Sequence, residues 1–141
     1  MLPEVGTSLT AKHNATTILI VEDDEDTRTI LVEALSTLTP YHVHAVTTSA
    51  AALHFATQIR PSLFILDYRL SQMNGLELYD QLHAIPEHEN TPAIIISATS
   101  SRPLTSEIES RKLLRFEKPF DLDVFVAAIE QALGRSNQAT S

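Results

Sequence analysis

Residues 18–24 read ILIVEDD, four consecutive apolar residues followed directly by three carboxylates. A continuous apolar run of this length, rather than an alternating one, is typical of a parallel strand that is covered on both faces. Two other segments repeat the pattern, LFIL at residues 63–66 and AIII at residues 93–96. Residues 42–47 and 113–116 show it more weakly, so we predict five strands, with residues 42–47 nearer an edge of the sheet.

Helical patterns fill the intervals between these strands. Apolar residues recur at spacings of three and four in segments 27–38, 49–59, 75–84 and 122–133, and residues 101–112 give a fifth, weaker helix. The alternation of strands and helices predicts an α/β fold with a parallel sheet and right-handed crossovers. The functional crevice of such a sheet lies at the carboxyl ends of its strands.

Single residues indicate where some helices begin and end. Ser49 and Asp121 are predicted N-caps of the second and last helices, because their side-chain oxygens can accept a hydrogen bond from the first turn. Gly134 is predicted to end the last helix.

The chain has 10 basic and 18 acidic residues among 141, a formal net charge of −8. Such a charge repels phosphate backbones and anionic lipids, so direct binding to nucleic acid or to a membrane is not expected. The absence of cysteine excludes disulfides, thiolate zinc sites and a cysteine nucleophile. No apolar run reaches the roughly 18 residues of a membrane span, and we expect a soluble cytoplasmic protein. We expect a flexible arm over residues 1–16, a folded domain over residues 17–133 and a flexible tail over residues 134–141.

Charged and polar residues stand at the ends of the predicted strands. Glu22 and Asp23 follow the first strand and Asp67 follows the third. Ser97 and Lys118 stand at the ends of the fourth and fifth. Carboxylates that meet at one edge repel one another unless a cation lies among them, and Mg²⁺ prefers such oxygen ligands. Because a carboxylate can also form an acyl phosphate, and a lysine can pair with phosphoryl oxygens, the pattern indicates phosphoryl transfer.

Each of these residues also has an ordinary structural explanation when it is taken alone. The acids at residues 22–24 could begin a helix, since carboxylates favour its positive end. Ser97 would carry no meaning, and Lys118 would be a surface lysine. Only their coincidence at successive strand ends favours a site. The histidines are interpreted as solvated side chains, because no third ligand is spaced to complete a zinc site with either pair, His42 with His44 or His83 with His88.

Four segments resemble the signature segments of bacterial two-component response-regulator receiver domains. They are ILIVEDDEDTR at residues 18–28, LFILDYRLSQMNGLEL at 63–78, IIISAT at 94–99 and EKPF at 117–120. The resemblance covers about residues 17–133. It implies a flavodoxin-like, doubly wound sheet of five parallel strands in the order 2-1-3-4-5, flanked by five helices, as in stand-alone chemotaxis receivers.

The resemblance also implies roles for single residues. Asp67 matches the phosphoacceptor, Ser97 the hydroxyl that turns toward the phosphoryl group, and Lys118 the lysine that pairs with it. The peptide bond between Lys118 and Pro119 is often cis in this family.

A metal site is implied in the same way. Glu22 and Asp23 match the acidic pair that binds Mg²⁺, for which Mn²⁺ can substitute. Asp67 and the backbone carbonyl of Arg69 would complete the protein ligands.

The implied function is to accept a phosphoryl group from a sensor histidine kinase or a histidine phosphotransfer protein. An unidentified downstream protein would then bind in a phosphorylation-dependent way, and the chain would not be a dedicated enzyme. We expect no output domain after Leu133, which favours a stand-alone receiver; a relay, a phosphate sink or a fragment of a hybrid kinase are alternatives. A phosphatase of the haloacid dehalogenase kind is less well supported, because residues 24–27 place the threonine one position too early for its Asp-x-Asp-x-Thr motif.

Three positions depart from the receiver pattern. Ser71 replaces the proline usual in the loop after the phosphoacceptor, so a looser loop is expected. Arg115 replaces the aromatic residue usual three positions before the lysine, which puts a ring-based switch in question. Residues 99–111 lack the usual Gly-Ala before the fifth strand.

Overall fold

The computed structural model describes residues 16–98, Pro103 and residues 105–140, with side chains described as far as Gly134. Five parallel strands form one sheet in the order β2-β1-β3-β4-β5, as predicted. The strands are β1 (Thr17–Val21), β2 (His42–Val46), β3 (Leu63–Asp67), β4 (Ala93–Ala98) and β5 (Leu114–Lys118).

Five α-helices connect and cover the strands. They are α1 (Glu25–Leu38), α2 (Ser49–Gln58), α3 (Gly75–His83), α4 (Thr105–Ser110) and α5 (Leu122–Thr140), and a short 3₁₀ helix spans Pro86–His88. The predicted α/β class and five-helix count are therefore confirmed. Within the described residues, no helix combines the length and the apolar character needed to cross a bilayer.

The core consists of two layers, one on each face of the sheet. Because side chains alternate along a strand, Leu19 and Phe64 face α2 and α3, whereas Ile18 and Ile65 face α1 and α5. Residues of β3 are buried without exception, as the continuous apolar run predicted. The edge strand β2 is only partly covered, in agreement with its weaker pattern.

The apolar face predicted for α1 is broader than the face that the helix buries. Leu31 and Leu35 are buried, but Ile30 and Leu38 are 56% and 50% exposed. A helix that lies on one face of a sheet buries a limited arc, and these two residues lie at the margins of that arc.

The helix caps correct one prediction and confirm another. Thr48, not Ser49, caps α2, with its hydroxyl accepting from the Ala51 N–H at 3.0 Å, while Ser49 is buried inside the helix. Asp121 accepts from the Asp123 N–H at 2.8 Å at the start of α5, as predicted. Either hydroxyl at residues 48 and 49 could serve as a cap, and only the backbone conformation decides between them.

The predicted end of the last helix at Gly134 is wrong, because α5 continues to Thr140. Gly134 has no positive φ, so it does not form the left-handed turn with which glycine usually ends a helix. The predicted arm over residues 1–16 lies almost wholly outside the described residues, and the domain limits at 17 and 133 stay predictions.

His88 also differs from the prediction of solvated histidines, since it is only 1% exposed. Its Nε2 lies 2.9 Å from the Ala56 carbonyl oxygen, and its ring packs edge-on against Phe64 with centroids 5.5 Å apart. His88 is therefore a hydrogen-bonded core residue that ties the 3₁₀ helix to the end of α2.

Candidate functional site

The carboxyl ends of β1, β3 and β5 bring an ammonium group between two carboxylates. Lys118 Nζ lies 3.1 Å from Glu22 Oε1 and 3.6 Å from Asp67 Oδ1. These residues are separated by up to 96 positions in the chain. The parallel register explains why they meet. Val21, just before Glu22, pairs with Leu66, just before Asp67. Lys118 ends β5 level with Ala98 at the end of β4.

Three carboxylates surround one gap at this edge. Glu22, Asp23 and Asp67 each offer an oxygen, and these atoms lie within 4.8 Å of one another. Glu22 and Asp67 are buried, and Asp23 is exposed to solvent. A set of hard oxygen donors around one gap fits a small divalent cation.

Burial changes the chemistry of Glu22. It raises the pKa of Glu22 to about 7, and a hydrogen bond and repulsion from Asp67 act in the same direction. The Asp24 N–H and Lys118 oppose this rise by donating to the carboxylate, but they are the weaker influences. A proton and a cation therefore compete for Glu22 near neutral pH.

Ser97 lies at the same edge, one residue beyond the β4 partner of Asp67. It is completely buried, and its Oγ has no hydrogen-bond partner among the described groups. A buried hydroxyl without a partner is unfavourable by roughly 1–3 kcal/mol. The residue therefore fits a site in which an oxygen-rich group, such as a phosphoryl group on Asp67, supplies the acceptor.

The loop between β3 and α3 closes one side of the site. The Gly75 N–H donates to the Tyr68 carbonyl at 2.8 Å, and a bridge joins Arg69 to Asn74. The Arg69 N–H points at Asp67 Oδ1, 3.4 Å away. A Cβ on Gly75 would stand 2.5 Å from the Asp67 carbonyl oxygen, so only glycine permits this close approach.

A cleft of about 350 Å³ connects these groups, lined by Glu22, Asp23, Asp24, Asp67, Arg69, Leu70, Ser71, Ala98 and Lys118. All the predicted acids, Lys118 and Arg69 thus border one space, with Ser97 in the adjacent strand. The Lys118–Pro119 peptide bond is cis, as the resemblance implied.

One contact was missed from the sequence. Ser71 Oγ lies 3.4 Å from Asp23 Oδ2, across the mouth of the cleft and 48 positions away in the chain. In the sequence, Ser71 stands out only as a substitute for the usual proline. Its hydroxyl was the available signal, but no local pattern places it beside Asp23.

The response regulator receiver domain family matches residues 18–130. Sporulation initiation phosphotransferase F of Bacillus subtilis is 32% identical over 117 residues, which cover 82% of this chain and 92% of that protein. The regulatory protein AtoC of Escherichia coli is 29% identical over 120 residues, and the chain spans only 25% of its length.

The fold is also similar to that of chemotaxis protein CheY4 of Vibrio cholerae, with a TM-score of 0.75. The two structures share 20% identity, and the match covers 84% of this chain and 98% of that one. At this identity the likeness supports the fold alone.

Proposed function

This chain belongs to the response regulator receiver domain family of two-component signalling, and we propose that Asp67 is its phosphoacceptor. The observation that carries the proposal is the contact of one ammonium, Lys118 Nζ, with both Glu22 and Asp67 at 3.1 and 3.6 Å. A charge in this position can neutralise a phosphoryl group attached to Asp67.

The proposed reaction is an in-line transfer from a phosphohistidine. An Asp67 carboxylate oxygen attacks the phosphorus, a new O–P bond forms, and the P–N bond to the donor imidazole breaks with its electron pair staying on nitrogen. Lys118 pairs with a phosphoryl oxygen, and the Ser97 hydroxyl donates to another. Positioning and charge neutralisation are the main catalytic contributions of these side chains.

We propose that Glu22, Asp23, Asp67 and the Arg69 carbonyl hold a divalent cation, Mg²⁺ or Mn²⁺. When bound, this ion supplies positive charge that offsets the negative charge of the phosphoryl oxygens. The oxygen-only donor set and the negative charge of the cleft support this assignment.

The proposed partners are a sensor histidine kinase or a histidine phosphotransfer protein on the donor side, and a downstream protein on the output side. We regard the chain as a signalling domain rather than a dedicated enzyme. A phosphorelay intermediate is the second candidate, because one relative that the chain nearly spans is named as a phosphotransferase.

Labelling with a radioactive small phosphodonor such as acetyl phosphate tests the assignment of Asp67. We expect a label that is stable in acid and labile in base, as an acyl phosphate is, and a loss of about 100-fold or more in Asp67→Asn, which lacks the nucleophile. Asp123→Asn is the matched control, because Asp123 is an exposed acid on α5 that is not among the residues lining the cleft. Full labelling of Asp67→Asn would show that another residue is the acceptor.

A further inference from the structure

We propose that Ser71 is a positioning residue, whose hydroxyl orients the Asp23 carboxylate for the divalent cation. The inference rests on the proposed function of the acidic site. It starts from the contact of Ser71 Oγ with Asp23 Oδ2 at 3.4 Å, between side chains that border the same cleft.

Asp23 differs from the other two acids in how it is held. Glu22 is buried and accepts from Lys118 and from the Asp24 N–H, each at 3.1 Å. Asp67 is buried beside Lys118. Asp23 is exposed, and within the described part of the chain Ser71 is its hydrogen-bond partner. Without the hydroxyl, the Asp23 side chain would rotate in solvent.

A hydroxyl suits this task because it uses one carboxylate oxygen and leaves the other for a cation. Groups that hydrogen-bond to a metal ligand reduce the rotational freedom that the ligand loses on binding, and their removal typically weakens metal affinity 10–100-fold. The distance of 3.4 Å is long for an O–H···O bond. We therefore expect a smaller effect here, about threefold to tenfold.

The loop that carries Ser71 is fixed by hydrogen bonds at the end where it enters α3. Asn74 accepts from the Glu77 N–H and Glu77 accepts from the Asn74 N–H, each at 2.9 Å. In addition, the Gly75 N–H donates a hydrogen bond to the Tyr68 carbonyl oxygen. Ser71 is thus presented from a loop that is hydrogen-bonded at its α3 end, and the looser loop expected from the missing proline stays a prediction. Proline at this position would supply no hydroxyl.

The test is Mn²⁺ binding to the full chain, followed by the electron paramagnetic resonance signal of the free ion. We expect Ser71→Ala to raise the dissociation constant about threefold to tenfold, and Ser71→Thr, which keeps the hydroxyl, to restore it to within about twofold. Ser36→Ala is the control, because Ser36 is exposed on α1, and it should bind like the wild type. Circular dichroism verifies that each variant is folded.

A double-mutant cycle separates positioning from a general effect on the fold. In the Asp23→Asn background the Ser71→Ala change should have no further effect on Mn²⁺ binding, since its target is gone. The inference is overturned if Ser71→Ala binds as well as or better than the wild type, if Ser71→Thr is as weak as Ser71→Ala, or if the loss persists without Asp23. A wild-type protein that binds no Mn²⁺ would instead overturn the proposed metal site.

Discussion

At the residue scale, Glu22 links the site to the stability of the protein. Burial beside Asp67 raises its pKa from the ordinary 4.5 to about 7. A raised carboxyl pKa means that the folded protein binds this proton more tightly than the unfolded chain does. The resulting stabilisation is fully present below pH 4.5 and is lost as the pH rises toward 7.

We therefore expect the metal-free protein to lose stability between about pH 4.5 and 7, by up to about 3 kcal/mol from Glu22. Urea unfolding at a series of pH values, with a chelator present, measures this slope. Glu22→Gln carries a permanently neutral side chain of the same shape, so its slope should be smaller in that range. The explanation fails if both proteins show the same pH dependence.

At the scale of elements, the junction of β3, its loop and α3 sets the position of Asp67. The start of α3 passes so near the end of β3 that a Cβ on Gly75 would stand 2.5 Å from the Asp67 carbonyl oxygen and 3.1 Å from its carbonyl carbon. Backbone atoms cannot yield as the tip of a side chain can. Any side chain at Gly75 must therefore displace the strand end that carries Asp67.

Gly75→Ala should destabilise the protein by about 1–3 kcal/mol and reduce phosphoryl labelling of Asp67. Gly134 is the matched control, since it lies within α5 and a Cβ there would meet nothing within 4 Å. Gly134→Ala should be neutral or stabilise by up to about 1 kcal/mol, because alanine favours the helix. Equal effects of the two changes in urea unfolding would contradict this account.

At the scale of the whole molecule, the three acids stand at the ends of β1 and β3, two strands that only the folded sheet brings side by side. A cation that binds them stabilises the folded state and not the unfolded chain. At a concentration 100 times the dissociation constant the stabilisation is about 2.7 kcal/mol, which in a domain of this size raises Tm by roughly 5–15 °C.

We predict that Mg²⁺ raises the Tm of the wild type and raises that of Asp23→Asn much less. Glu33→Gln serves as the control, because Glu33 is an exposed acid on α1 that is not among the residues lining the cleft. Differential scanning calorimetry with and without Mg²⁺ gives the two shifts. An equal Mg²⁺ shift in all three proteins would exclude Asp23 as a ligand.

The end of α4 illustrates a signal that the sequence did not contain. The Lys112 N–H donates to Glu109 at 3.0 Å and the Leu113 N–H to Ile108 at 3.2 Å, while Lys112 has a φ of 57°. This is the usual left-handed end of a helix, where glycine is expected. Because lysine occupies this position instead of glycine, the helix predicted over residues 101–112 extends beyond the observed end of α4 at Ser110. The predicted start of this helix lies outside the described residues.

The sequence by itself determined the alternation of strands and helices and the placement of the acids and Lys118 at strand ends. These properties depend on near neighbours, because continuous apolar runs and helical periodicity are local patterns. Tertiary structure alone decided the burial of His88, the exposed margin of α1 and the contact of Ser71 with Asp23. Each of these depends on which distant segment lies alongside, and that is fixed only when the sheet and its covering helices pack together.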